Sequence, residues 1–413
     1  MVIIYTMNIS PKNISNNNFI QRRFLKFTHN FKTDKDFTLF LIVGLFTGIA
    51  GGINSTVFNN FLSDVYKLSA SARGIVEFPR ELPGALIMIV LALLSFLGDV
   101  RMAVVGMCFA SLGMIGLGMF SPSFSIMLLW MMMLSLGTHI FMPLSAGIGM
   151  NLSQREQYGV RLGRFNAYNL IATIIGYSIV GFGFKYLGLT YKFAFLIASL
   201  FYLFAAFFLG LMSSKKPERR KIKFVFRKEY KLYYILSIVN GARKQVFLTF
   251  APWVLIQVYH LNPPTFAVLG FIVATLSILT RTAVGNAIDI KGERFVLSFE
   301  AIVLIIICMG YSFAADLLSP AIAVIVIAAC YIIDNSMSVV EMARSTYIKK
   351  IAVHPEDVIP TLSAGTSFDH VIAMTIPFFG GLLWANFGYK YVFLFAAFIA
   401  LLNLFLSLKI RVD

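Results

Sequence analysis

The chain has 413 residues, of which 58% are hydrophobic and only 13% charged, with a mean hydropathy of +0.80. A soluble domain carries about 45–50% apolar and about 25% charged residues, so this composition excludes an ordinary water-soluble fold and calls for a lipid bilayer as solvent. The formal net charge of +16 falls in segments between apolar runs rather than on one polar face, which argues against a nucleic-acid partner.

Taken in order, residues 1–36 are polar, Asn-rich and basic and read as a largely disordered cytoplasmic tail. Within it, Phe19–Phe31 has the pattern of an amphipathic helix on an anionic membrane surface, or of a plain tail. Either Met1 or Met7 suits as the start. No secretory signal peptide is read, because the first long apolar run begins near Phe37 and is too long for one.

About twelve membrane-length segments follow, at roughly 20 residues each. They lie near 38–60, 74–97, 102–120, 124–149, 165–186, 191–212, 232–258, 266–283, 295–315, 320–345, 362–385 and 389–408. The strongly basic stretch Ser213–Lys231 divides them into an N-terminal half, 37–212, and a C-terminal half, 232–413. A polar linker between two hydrophobic halves suits a duplicated transporter whose halves rock against each other.

Orientation follows from the basic residues. With both termini and the linker in the cytoplasm, inner segments hold about 27 of the 35 Lys and Arg residues and outer loops about 5. Lys67, Arg73, Lys185, Lys192 and Lys390 form the outer set. The halves also repeat weakly. Asn169-Leu-Ile-Ala-Thr leads to Gly188 and Tyr191-Lys192, and His370-Val-Ile-Ala-Met leads to Gly388 and Tyr389-Lys390, about 200 residues later.

After the eighth segment comes Gly285-Asn-Ala-Ile-Asp289-Ile-Lys-Gly292-Glu-Arg294. This resembles the loop signature of the major facilitator superfamily at Gly285, Asp289, Gly292 and Arg294. The equivalent loop of the first half, Ser95-Phe-Leu-Gly98-Asp99-Val-Arg101-Met102, keeps Asp99 and the basic Arg101 but has Ser95 and Met102 where glycines are expected. The resemblance implies an all-α membrane protein of two pseudo-symmetric six-helix halves, with helices one, four, seven and ten around a central cavity. Asp289 and Asp99 read either as gate residues pairing with a cation across the halves or as charged tight turns.

Polar residues inside the segments fit that arrangement: Asn54, His139, Asn240, Arg243, Lys244 and Asp334 fall in segments one, four, seven and ten. An ionisable group at membrane depth is costly, so it faces protein or a wet cavity. These six are the candidate substrate-binding residues. Arg243 and Lys244 need anions, either Asp334 and Asp369 or an anionic substrate.

Glu77, Arg80 and Glu81 share a helix face about 27–33 Å from the inner surface and read as an outer gate, a proton site or an internally paired cluster. Glu341, in a polar stripe with Asp334, and the pair Asp369 and His370 are further proton-coupling candidates. Glu300 is expected to snorkel to the inner surface. Gly44, Gly48 and Gly52 recur every four residues and allow close helix approach.

Cys108, Cys308 and Cys330 read as small buried hydrophobes with no metal or disulfide spacing. No ATP-binding loop or catalytic constellation appears, and no cofactor or metal is expected. The expectation is a monomeric, non-enzymatic secondary transporter of the cytoplasmic membrane, proton-coupled, moving a small solute such as an organic anion. Alternatives are an exporter of amphipathic compounds, a non-transporting receptor or a lipid-modifying enzyme.

Overall fold

A computed structural model describes residues 35–152, 158–213 and 225–411. The amphipathic segment Phe19–Phe31 and the middle of the basic linker lie outside the described residues. Helix α1 is Lys35–Tyr66, and α2 is broken into Ala70–Ala85 and Ile87–Leu94. Helices α3 to α6 are Asp99–Met119, Phe124–Asn151, Tyr158–Tyr186 and Tyr191–Gly210. Helix α7 is Lys231–Gln257. The continuous run Pro263–Leu317 turns at Gly292, so it supplies α8 before that residue and α9 after it. Helix α10, Pro320–Ile351, passes through a tighter turn at Met337–Val340. Helices α11 and α12 are Val358–Phe387 and Tyr389–Ser407.

Among the described residues, nine helices are long and apolar enough to cross a membrane, or ten with the bent α2 counted as one. The kink at Gly292 divides one of these, and α7, with Asn240, Arg243 and Lys244 at its middle, completes the twelve. The 41° bend of α2 follows Pro79 and Pro83, each of which removes a helical N–H and crowds the carbonyl four residues back.

The halves meet chiefly through two helix pairs that are one contact repeated. Helix α2 packs along α11, and α5 packs along α8. The repeat maps α2 onto α8 and α5 onto α11, so each interface is the image of the other. Close approach at α2–α11 needs glycine: a Cβ at Gly74 would strike the Pro377 carbonyl, and one at Gly381 would lie 2.8 Å from the Ala70 carbonyl. Inside the N-terminal half, Gly48 and Gly52 let α1 lie against the α5 backbone at Asn169 and Thr173, as their spacing predicted.

Backbone angles correct the register of the first signature loop. Gly292 has φ 79° and ψ 169°, and Gly98 has φ 79° and ψ 160°. This region is open to essentially no residue but glycine. Gly98 is therefore the counterpart of Gly292, with Asp99 matching Glu293 at the start of the next helix. Ser95, not Asp99, occupies the place of Asp289. Gly188 and Gly388, both at positive φ, mark the second repeated turn.

The two halves are filled differently. The N-terminal half has one continuous apolar core running from Phe37 to Met212, joined by Trp253 of α7. The C-terminal half has two, one around Phe247, Tyr311 and Phe393 and one around Tyr230, Leu297 and Tyr347. Between them lies a layer of charged side chains from α7, α9 and α10.

Candidate functional site

The charged layer opens onto a cavity of about 650 Å³ between the halves. Arg243, at the middle of α7, donates from Nη1 to Asp334 Oδ1 of α10 at 2.6 Å. Its neighbour Lys244 pairs with Asp369 of α11. Three and four residues after Asn240, the two cations diverge around α7 and reach different partners. Arg344 of α10 holds Glu341 at 2.7 Å and Glu300 of α9 at 3.2 Å, and Asn240 Nδ2 lies 3.5 Å from Glu341. Glu300, expected to snorkel, is instead 1% exposed: Arg344 beside it makes burial cheaper than a strained reach to the surface.

A second network runs through the N-terminal half and into the other. Glu77, fully buried, accepts from Arg73 and from Arg80 at 2.6 Å, and also from Gln245 Nε2 of α7 at 2.7 Å. Arg80 reaches Glu81 Oε1 at 3.0 Å, and Glu81 Oε2 accepts from His370 Nδ1 of α11 at 2.9 Å. Arg73, assigned above to an outer loop, lies inside α2 with no exposed surface, held by Glu77 and by Asn59 Oδ1. The helix begins earlier than the hydropathy of its sequence indicates, because ion pairing neutralises its charged first turns.

Inter-half hydrogen bonds gather at the end opposite the linker. Asn60 Nδ2 donates to the Leu261 carbonyl at 2.8 Å, Gln257 Nε2 to Ser63 Oγ at 2.8 Å, and Ser71 Oγ to the Gly381 carbonyl at 3.2 Å. Toward the linker end the cavity continues past Tyr233, Ser345 and Leu362. There, among the described residues, the halves share a weak contact of Ser367 Oγ with the Met88 thioether, at 3.7 Å. An adjoining space of about 540 Å³ is lined by Met88, Leu91, Pro143 and Ile359, between α2, α4 and α11.

The structure brings most of the expected residues together. His139, Asn240, Arg243, Lys244, Asp334, Glu81, Glu341, Asp369 and His370 all border the central cavity. Asn54 and Arg80 line a smaller space of about 230 Å³ that also touches Asp334. Glu77 lies behind the cavity wall. The signature residues sit apart, at the linker end: Asp289 and Arg294 are exposed, as is Arg101, and the turn's ion pair is Glu293 with Lys350 at 2.8 Å. Sequence reasoning missed Arg344, Gln245 and Ser135. The i, i+3 spacing of Glu341 and Arg344 was a usable signal for the first. The others make contacts that only the packing sets.

Ser135 belongs to a cluster around His139. His139 Nδ1 donates to the Ser135 carbonyl at 2.8 Å, and its ring meets that of His370 edge to face, with centroids 5.0 Å apart. One nitrogen of each imidazole and one oxygen of Glu81 lie within 4.8 Å of one another.

Comparisons with known proteins bear on the fold. The solved nucleoside transporter NupG aligns over 91% of this chain and 99% of its own, with a TM-score of 0.70 at 11% identity. A bacterial homolog to the human lysosomal transporter Spinster, in an inward-facing and occupied conformation, aligns over 92% and 96% with a TM-score of 0.69 at 14% identity. A D-xylose-proton symporter aligns over 90% and 96% with a TM-score of 0.67 at 13% identity. No curated protein matches the sequence. The family model for the Major Facilitator Superfamily matches residues 40–357. Together with twelve helices in two repeated halves around a charged central cavity, that match shows that the chain belongs to the major facilitator superfamily of transporters.

Proposed function

We propose that the chain moves a small polar solute across the cytoplasmic membrane by alternating access, coupled to protons. The observation that carries this reading is the mid-depth cavity between the halves, whose charges come as cation–carboxylate pairs. Helix α7 reaches Arg243 after about 18 Å, near the middle of a bilayer core of about 30 Å.

The pairing refines the expectation of an organic anion. Five carboxylates line the cavity, Glu81, Glu300, Asp334, Glu341 and Asp369, against three cations, Arg243, Lys244 and Arg344. A simple anion meets an excess of negative charge there. A solute carrying a carboxylate and a cationic group can exchange with pairs already present, its carboxylate on Lys244 and its cation at Asp369 or Glu341. Lys244 suits the exchange, since its side chain is 38% exposed where that of Arg243 is 9% exposed.

The excess of Lys and Arg at the linker end supports a cytoplasmic linker and cytoplasmic termini, which makes this the inward-open state. In that state a latch at Asp289 is undone, and its exposed carboxylate agrees with that role. Glu81, His370, Asp369 and Glu341 are the candidate proton carriers, and Glu81–His370 crosses between the halves. Export of amphipathic compounds is the second reading, favoured by the apolar space beside Met88 and Ile359.

The test is uptake by reconstituted vesicles under an imposed pH gradient, with zwitterionic amino acids, organic anions and amphipathic amines compared. Solute entry that accelerates with the gradient and carries protons, strongest for the zwitterions, is expected. A solute that stabilises the purified protein yet moves without protons sinks the coupling. A turnover product in place of transport points to an enzyme.

A further inference from the structure

Glu81, His139 and His370 have a geometry that hydrogen bonding alone does not use. In His139, Nδ1 donates to the Ser135 carbonyl, so the neutral ring keeps its lone pair on Nε2. In His370, Nδ1 lies 2.9 Å from Glu81 Oε2, so an ion bound by both takes the place of the proton they share, and the neutral ring then carries its proton on Nε2. His139 Nε2 makes no hydrogen bond among the described residues and is left to face the ion. Gly84 keeps the space between the rings open: a Cβ there would lie 2.7 Å from His139 Nε2 and 2.8 Å from His370 Cε1.

We infer that these three side chains form a binding site for a divalent first-row transition metal ion, with Zn²⁺ the best fit. Two imidazoles and one carboxylate are a common zinc donor set, with a fourth position left for water. The supporting contacts are of the kind that orient metal ligands. A backbone carbonyl fixes the His139 ring, and Arg80 holds the second Glu81 oxygen at 3.0 Å. Tetrahedral ligands at about 2.0–2.1 Å from zinc stand about 3.4 Å apart, so no pair has to close by more than about 1.4 Å on loading. All three residues border the central cavity, which gives the ion its path in. Glu81 and His139 come from the N-terminal half and His370 from the C-terminal half, so a bound ion joins the two.

The test uses untagged, detergent-purified full-length protein with Co²⁺ and Zn²⁺ as probes. One Co²⁺ per chain should bind with the visible absorption of a four-coordinate site, and Zn²⁺ should displace it. E81Q, H139Q and H370Q should each weaken Co²⁺ binding by at least the roughly 10–100-fold that follows loss of a supporting group. H260Q and H354Q should bind as the unmutated protein does. X-ray absorption on the unmutated, Zn²⁺-loaded protein, which needs no substitution to fold, should show two imidazole ligands. Absence of saturable Co²⁺ binding overturns the site, as does binding that H139Q and H370Q leave unchanged or an absorption spectrum without imidazole.

Discussion

At the scale of single residues, the two adjacent cations of α7 differ in how far they are enclosed, which the proposed function reads as separate duties. Arg243 and Asp334 are both nearly enclosed, so removing one partner strands the other. Arg243→Gln should cost about 3–5 kcal/mol of stability, read as a fall in the melting temperature of the ligand-free protein, and Asp334→Asn in the same chain should restore most of it. Lys244 is more open to the cavity, so Lys244→Gln should leave the melting temperature near that of the unmutated protein while weakening solute binding. If both variants melt alike, the division of labour is wrong. This much was partly legible in the sequence: charges inside an apolar segment stand out, and Asp334 and Asp369 were named as their acidic partners. Which cation takes which carboxylate depends on how each helix is rotated, and no spacing records that.

At the scale of elements, the signature turn shows why its glycines are not equivalent. Gly292 holds a backbone conformation closed to other residues, whereas Gly285 sits in α8 with open space around it. Gly292→Ala should cost about 1–3 kcal/mol, while Gly285→Ala should be neutral or stabilise by up to about 1 kcal/mol. Thermal melts of the two variants side by side decide this, and equal losses would refute the assignment. The loop before α11 offers a pH test. Asp357 is held below its ordinary carboxylate value: burial works to raise it, and hydrogen bonds from Tyr230 and Arg227 outweigh that. A depressed value means the contribution to stability is present above the unfolded value of 3.8 and is lost as pH falls through the folded one. Melting temperature should therefore drop on acidification below that point, and Asp357→Asn should flatten the drop. The sequence placed this turn correctly but gave no sign of the pairing, because Arg227 and Asp357 lie 130 residues apart.

At the scale of the whole molecule, rocking requires the halves to part at the end that is now closed. Ser63 and Gln257 are hydrogen-bonded across that end at 2.8 Å. Cysteines at both positions, in a chain whose three native cysteines are replaced, should cross-link on oxidation, abolish uptake and regain it on reduction. Full cross-linking with undiminished uptake would end the alternating-access reading. Asp289→Asn should leave melting intact and cut uptake strongly, and a variant that fails to accumulate would favour a structural role. The helical architecture at this scale was readable because bilayer thickness fixes helix length. Helix ends were less so. Arg73 and Arg344 fell near or beyond the apparent limits of their segments, because hydropathy counts a paired charge as if it were free.

The long separation of partners around α7 has a consequence for how the protein is made. Asp334 follows Arg243 by 91 residues and Asp369 follows Lys244 by 125. At about 5–20 residues per second, α7 leaves the ribosome roughly 5–20 s before the first of its counter-charges exists. Each cation costs about 2.5–3.5 kcal/mol at the centre of a lone inserted helix. Helix α7 is therefore expected to need shielding, by the insertion machinery or by the N-terminal half already in place, until α10 and α11 arrive. Glu77 and Gln245 suggest the second: the finished half presents a buried carboxylate to α7 before any of its later partners has been translated.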